Sequence, residues 1–157
     1  MESEDRAFLA KAVNNALDGM EQGGGPFGAV IVMDGEIISE AYNRVVNDHD
    51  PTAHAEVLAI RAAAAKLGTH DLGRCTLYTS CEPCPMCLGA IYWSGIKKVV
   101  YACDRHDASG AGFSDSLIYD ELALEPAFRK ISFIKYEDDA GCDVFKKWDS
   151  LENKIPY

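Results

Sequence analysis

The residue types able to do chemistry fall into two short blocks, His54-Ala55-Glu56 and Pro83-Cys84-Pro85-Met86-Cys87. Cys84 and Cys87 are three apart, which on a helix puts both sulfurs on one face, about one turn apart. At a helix N-terminus the macrodipole and the unpaired N–H groups favour thiolate over thiol. A proline fits there, because first-turn N–H groups have no intrahelical partner. Two thiolates and one imidazole make a borderline-soft donor set that suits Zn2+. Three protein ligands leave a fourth tetrahedral position for water, the arrangement of a catalytic site.

Glu56 supplies the missing function. Two residues from His54, it is badly placed to ligate the same ion from the same helix face, but it can reach the water. Zinc lowers the pKa of that water toward about 7, and a carboxylate beside it can take the proton and pass it on. Each feature alone has a plainer reading. A single Cys-x-x-Cys is more often a structural half-site or a redox pair, a His near a helix start a satisfied polar residue, and a Glu there a dipole partner. Their combination is specific. A structural site of four cysteines is disfavoured, because Cys75, Cys81, Cys103 and Cys142 form no second closely spaced pair. Cys81 is the only further thiol near the first pair; with Cys75 and Cys103 it reads as an ordinary buried thiol.

The elements that must position these groups follow from periodicity. Apolar residues from Phe8 to Met20 recur at helical spacing within a segment from Asp5 to Glu21, which the Gly23-Gly24-Gly25-Pro26 run ends. Phe27 to Met33 reads as a strand, Asp34-Gly35 as a hairpin turn and Glu36 to Tyr42 as its antiparallel return. Asp50-Pro51-Thr52 predicts a helix start with Thr52 as N-cap, running to Leu67 and closed by Gly68. Then come a strand over Cys75–Ser80, a helix over Cys84–Trp93 and a strand over Lys97–Ala102. A short helix over Ser114–Leu122, a last strand over Ile131–Tyr136 and a C-terminal helix over Val144–Leu151 complete the reading. This alternation predicts an α/β fold with helices on both faces of a mixed sheet. The stretch from Gly23 to Gly28 formally matches G-x-G-x-x-G. It follows a helix and opens a strand, the reverse of a dinucleotide fingerprint, so it reads as a turn that lets backbone approach a ligand.

Length and charge narrow the class. The 157 residues suit one domain, and 48% hydrophobic with 25% charged residues are globular proportions. No apolar run approaches the ~18 residues of a membrane span. The acidic start Met1-Glu2-Ser3-Glu4-Asp5 is unlike a secretory signal, and a soluble cytoplasmic protein is expected. The net charge of −10 repels a phosphate backbone, so no long nucleic acid and no membrane are expected as partners.

The H-x-E…P-C-x-x-C pattern is that of the zinc nucleobase deaminases, and the chain resembles the cytidine deaminase-like superfamily over most of its length. Within it, the chain looks like the bacterial guanine deaminases. The likeness rests on Gly24 to Val32, Asn43, Asp50 to Val57, Thr79 to Trp93, Ala111-Gly112-Phe113-Ser114-Asp115 and the terminal Tyr157; residues 122–150 lend nothing. The resemblance implies a three-layer α/β/α fold with a five-stranded mixed sheet in one domain over residues 1–157. It implies one Zn2+ per subunit on His54, Cys84 and Cys87, with Glu56 as proton shuttle. The implied reaction is hydrolysis of guanine to xanthine and ammonia, with backbone N–H groups near the start of the second helix holding developing oxygen charge.

Asn43 could hydrogen-bond O6 and N7 of the purine, or be a turn residue. Phe27 and Trp93 are candidates to pack on the base faces, or to be plain core. Asp115 could accept from a purine N–H, or cap the short helix. The resemblance further implies a homodimer whose C-terminal tail, from about residue 140 to 157, is exchanged so that Tyr157 helps close the partner's site. Within the superfamily, tRNA adenosine deaminase is disfavoured by the negative charge, and cytosine deaminase by the Ala111–Asp115 stretch and Tyr157. A zinc-stabilised binding module without turnover is the alternative of another class.

Overall fold

The computed structural model describes residues 3–136 and 139–156. They divide into two compact units, one ending at Asp115 and the other beginning at Ser116.

The first unit opens with helix α1 (Ser3–Glu21), whose first turn carries Glu4 and Asp5 against the positive end of the dipole. Strands β1 (Gly28–Met33) and β2 (Glu36–Tyr42) form the expected antiparallel hairpin. Asp34 and Gly35 turn it with positive φ at both positions, 51° and 80°, as a tight two-residue turn with the right-handed strand twist requires. A short helix α2 (Val45–Asp48) leads into α3 (Ala55–Leu67), which Gly68 ends in the left-handed conformation at φ 65°. Strand β3 (Thr76–Cys81), helix α4 (Pro85–Trp93), strand β4 (Lys98–Cys103) and helix α5 (Arg105–Gly110) follow.

The sheet order is β2-β1-β3-β4, with β1 antiparallel to both neighbours and β3 parallel to β4. Two apolar clusters cover its faces. Ala29, Ile31 and Leu77 pack with Ala55, Ala59 and Ala63 of α3 and Ile91 of α4. Val30, Val32 and Tyr78 pack with Ala12, Phe8 and Leu9 of α1. Period-two alternation along β1 thus feeds both layers. A fully buried side chain such as Ile31 or Leu77 contributes about 1.5–3 kcal/mol. Gly28 is required by the approach of α1: a Cβ there would collide with the Ala12 carbonyl and the Ala16 N–H.

The second unit holds α6 (Ser116–Leu122), a 3-10 turn (Pro126–Phe128) and α7 (Asp139–Asp149). None of its described residues is buried. Among the described residues no helix is long and apolar enough to cross a membrane.

Several sequence expectations need correction. Among the described residues the sheet has four strands, not five. Ile131–Tyr136 is exposed and irregular, because β propensity makes a strand only where a neighbouring ladder takes up its N–H and C=O groups. Thr52 is not an N-cap: its N–H and hydroxyl both turn back to Asp50 Oδ1, at 2.8 and 2.7 Å, and His54 holds the cap position instead. Helix α5 was not anticipated, although Asp104 and Asp107 form a full capping box at its start. The helix expected from Ser114 begins at Ser116. Cys103 is exposed rather than buried, since it lies at the end of the β4 edge strand.

Candidate active site

Two helix starts build the site. His54 is the N-cap of α3 and Cys84 the N-cap of α4, each in extended backbone geometry and neither using its side chain as a cap. Each instead gives its carbonyl to the first helical turn, His54 O accepting from Leu58 N–H and Cys84 O from Leu88 N–H. Both side chains are therefore free to leave the helix end. His54 Nδ1 lies 3.5 Å from Cys84 Sγ and 3.5 Å from Cys87 Sγ. The three donor atoms all fall within 4.8 Å of one another, the only such group among the described residues. Cys87 is buried, while His54 and Cys84 are half-buried.

These residues fit zinc. A tetrahedral ion with bonds of about 2.3 Å to sulfur and about 2.0–2.1 Å to nitrogen separates an N and an S ligand by about 3.5 Å, the spacing found here. The protonation pattern agrees. Cys84 is pulled down to about 4 by its hydrogen bond with the Cys87 thiol, helped by His54 and by the Cys87 backbone N–H against the cost of burial. The Cys87 thiol is pushed far up by the same shared bond and by burial, and the hydrogen bond to Cys84 raises His54. The Cys87 N–H, at the start of α4, is turned to a sulfur.

Glu56 is the second residue of α3 and 5% exposed, and its carboxylate is hydrogen-bonded by the Cys87 thiol. Burial pushes its carboxyl above the ordinary range. Thr79 of β3, 1% exposed, donates its hydroxyl to Glu56 Oε1 at 3.4 Å. Nothing in the sequence singled out Thr79; only the strand register could.

The expected substrate residues are placed unevenly. Asn43 is buried, and its Oδ1 accepts from Val45 N–H at 3.2 Å, the turn role weighed above, which leaves Nδ2 to donate. Gly24 and Gly25 explain the glycine run: a Cβ on Gly24 would strike the Asn43 carbonyl, and one on Gly25 would crowd Asn43 Oδ1 at 3.0 Å. The run seats Asn43. Phe27 packs on the α3-side core and meets Phe113 edge to face, ring centres 5.0 Å apart. Phe113 lies inside the Ala111–Asp115 stretch, and its contact with Phe27 was not assigned from the sequence. Trp93 is 71% exposed, so it is not core. It ends α4, six residues beyond Cys87. Asp115 is half-buried where the first unit ends. Tyr157 lies outside the described residues.

Comparison with known proteins places this site in context. Residues 2–103 match the family model for the cytidine and deoxycytidylate deaminase zinc-binding region. The chain is 52% identical over 151 residues to guanine deaminase of Bacillus subtilis strain 168, covering 96% of this chain and 97% of that one. The X-ray structure of guanine deaminase from Bacillus subtilis matches with a TM-score of 0.95 at 50% identity, over 100% of this chain and 99% of that one. A tRNA-specific adenosine deaminase of Aquifex aeolicus is 48% identical over 95 residues, covering 60% of this chain and 63% of the relative.

Proposed function

This chain belongs to the cytidine and deoxycytidylate deaminase family, and we propose that it hydrolyses guanine to xanthine and ammonia. The observation that carries the choice of guanine is the span of the likeness. Similarity to the guanine deaminase runs through 96% of the chain at 52% identity, whereas that to tRNA-specific adenosine deaminases stops at 60% and 76%. The charge of −10 adds a second reason against a polyanionic substrate.

His54, Cys84 and Cys87 hold one Zn2+ per subunit. Bound there, zinc acts as a Lewis acid that brings the pKa of a water toward about 7. The chain does the rest. Glu56 accepts the proton of the attacking water and delivers it to the ring nitrogen beside C2, which makes C2 electrophilic. A C–O bond forms at C2. Glu56 then carries a proton to the amino group, the C2–N bond breaks, and ammonia leaves. Burial suits Glu56 to both transfers, since a raised pKa lets a carboxyl keep a proton until the amine needs it. Thr79 fixes Oε1. Asn43 Nδ2 donates to the purine carbonyl edge, Phe27 packs on a face of the ring together with Phe113, Trp93 packs on the base as well, and Asp115 accepts from a purine N–H.

The second unit completes the reading. Its exposed Phe128, Ile131, Phe133, Ile134, Phe145 and Trp148 leave it without a core of its own, and an apolar surface of that kind marks an interface. In the proposed homodimer the C-terminal tail, from about residue 140, passes to the partner and carries Tyr157 to the partner's site. The cytoplasm, which keeps thiol ligands reduced, is the proposed location.

Ammonia release from guanine, guanosine, adenine, cytosine and cytidine tests the activity. Release from guanine with xanthine as product is expected; release from cytosine without guanine overturns the reading. Mixing a Glu56→Ala chain with one lacking Tyr157 tests the exchange. Recovered activity is expected from mixed dimers, and none if each tail serves its own subunit.

A further inference from the structure

Two cysteines outside the metal group face each other across the sheet. Cys81 ends β3, Cys103 ends β4, and the two are register partners in the parallel ladder. Register partners in parallel strands project to the same face. Cys81 and Cys103 share the parity of the Leu77–Val99 and Thr79–Tyr101 pairs, so they lie on the α3 side, where Leu77 joins the core and Thr79 meets Glu56. Neighbouring strands lie about 4.7–4.9 Å apart, inside the about 4.4–6.8 Å between Cα atoms that a cystine spans. Both are free thiols of opposite accessibility, Cys81 buried at 7% exposure and Cys103 exposed.

We propose that Cys81 and Cys103 form a peroxide-driven disulfide that switches the site off. Exposure makes Cys103 the sulfur that meets the oxidant. Hydrogen peroxide converts its thiol to the sulfenic acid and one water leaves. The Cys81 sulfur attacks the Cys103 sulfur, the S–O bond breaks, and the hydroxide released takes the Cys81 proton as a second water. Two thiols give up two electrons to one peroxide, and a thiol reductant reverses the step.

The consequence reaches the metal site through a short path. The Cys81 thiol donates to the Asp104 carbonyl at 3.5 Å. One residue on, Glu82 N–H donates to the Cys103 carbonyl at 2.8 Å, and the Glu82 carboxylate accepts from Arg105 N–H at 3.1 Å. A bond to Cys103 takes the Cys81 sulfur off Asp104 and strains this clasp, which anchors the Glu82-Pro83-Cys84 turn.

The test treats zinc-loaded protein and its Cys103→Ser variant with a small excess of hydrogen peroxide. Free thiols are then alkylated and the protein is digested without reductant. In the parent protein a Cys81 peptide linked to a Cys103 peptide is expected, lighter by two hydrogens than the sum of the parts. Activity should fall with the half-time of linkage, return on adding dithiothreitol, and leave zinc content unchanged. Cys103→Ser should keep its activity under the same treatment. A link between Cys84 and Cys87, Cys103 recovered as sulfinic acid without a link, or equal inactivation of both proteins overturns the proposal.

Discussion

His54 and Cys84 hold the same position in different helices: each is an N-cap whose side chain declines to cap, and His54 Nδ1 meets Cys84 Sγ at 3.5 Å. Two positive helix ends therefore converge on the thiolate. The hydrogen bond from the Cys87 thiol, with those from His54 and the Cys87 backbone N–H, lowers Cys84 to about pKa 4.

That pKa can be read chemically. After zinc is removed, iodoacetamide at about pH 6 should label Cys84 well ahead of Cys87 and of Cys81, whose thiol burial pushes up to about 11. The order follows thiolate content, and zinc should abolish the difference by shielding Cys84. Mass mapping of the labelled peptides checks it.

Glu56→Gln should keep close to one zinc per chain and lose activity by about 10²–10⁴-fold, the usual worth of a positioned proton carrier. Metal analysis beside turnover separates this from a ligand role: zinc lost together with activity would assign Glu56 to the coordination shell.

Chelation should abolish activity and lower Tm, and added zinc should restore both. A ligand at a hundredfold excess over Kd stabilises by about 2.7 kcal/mol, about 5–10 °C of Tm for a chain of this size. Thermal melts with and without chelator measure it.

Gly25→Ala should raise KM for guanine more than it lowers Tm, because the new Cβ presses on the Asn43 amide. Gly28→Ala should do the reverse. Its Cβ drives the α1 backbone off β1, an overpacking cost of about 1–3 kcal/mol.

Asp5 ties α1 to the sheet, accepting from the Tyr78 hydroxyl at 2.6 Å and from Lys98 Nζ at 2.9 Å. These bonds, the tyrosine first, hold its carboxyl below the usual range. A depressed carboxyl stabilises the fold above its unfolded pKa of about 3.9, and that contribution disappears as pH falls through the folded value. The Tm gap between the parent and Asp5→Asn should be full at pH 7 and close as the solution is acidified below about pH 4.

The sequence alone determined the donor set, because its chemistry is local. His54, Glu56, Cys84 and Cys87 are recognisable by type and by spacing along helix starts, and the apolar periods of α1, β1 and α3 place those starts against a sheet. Its reach ended where an outcome depends on distant chain. Thr52 had the composition of a cap, yet Asp50 took it and left His54 at the helix end. Ile131–Tyr136 had the composition of a strand, but no ladder receives it. Thr79 became Glu56's partner, Phe113 became Phe27's, and Cys103 was left exposed opposite Cys81, all through register and crossover between segments far apart in sequence. Propensity and spacing describe one segment at a time, whereas pairing across a sheet and access to water belong only to the assembled chain.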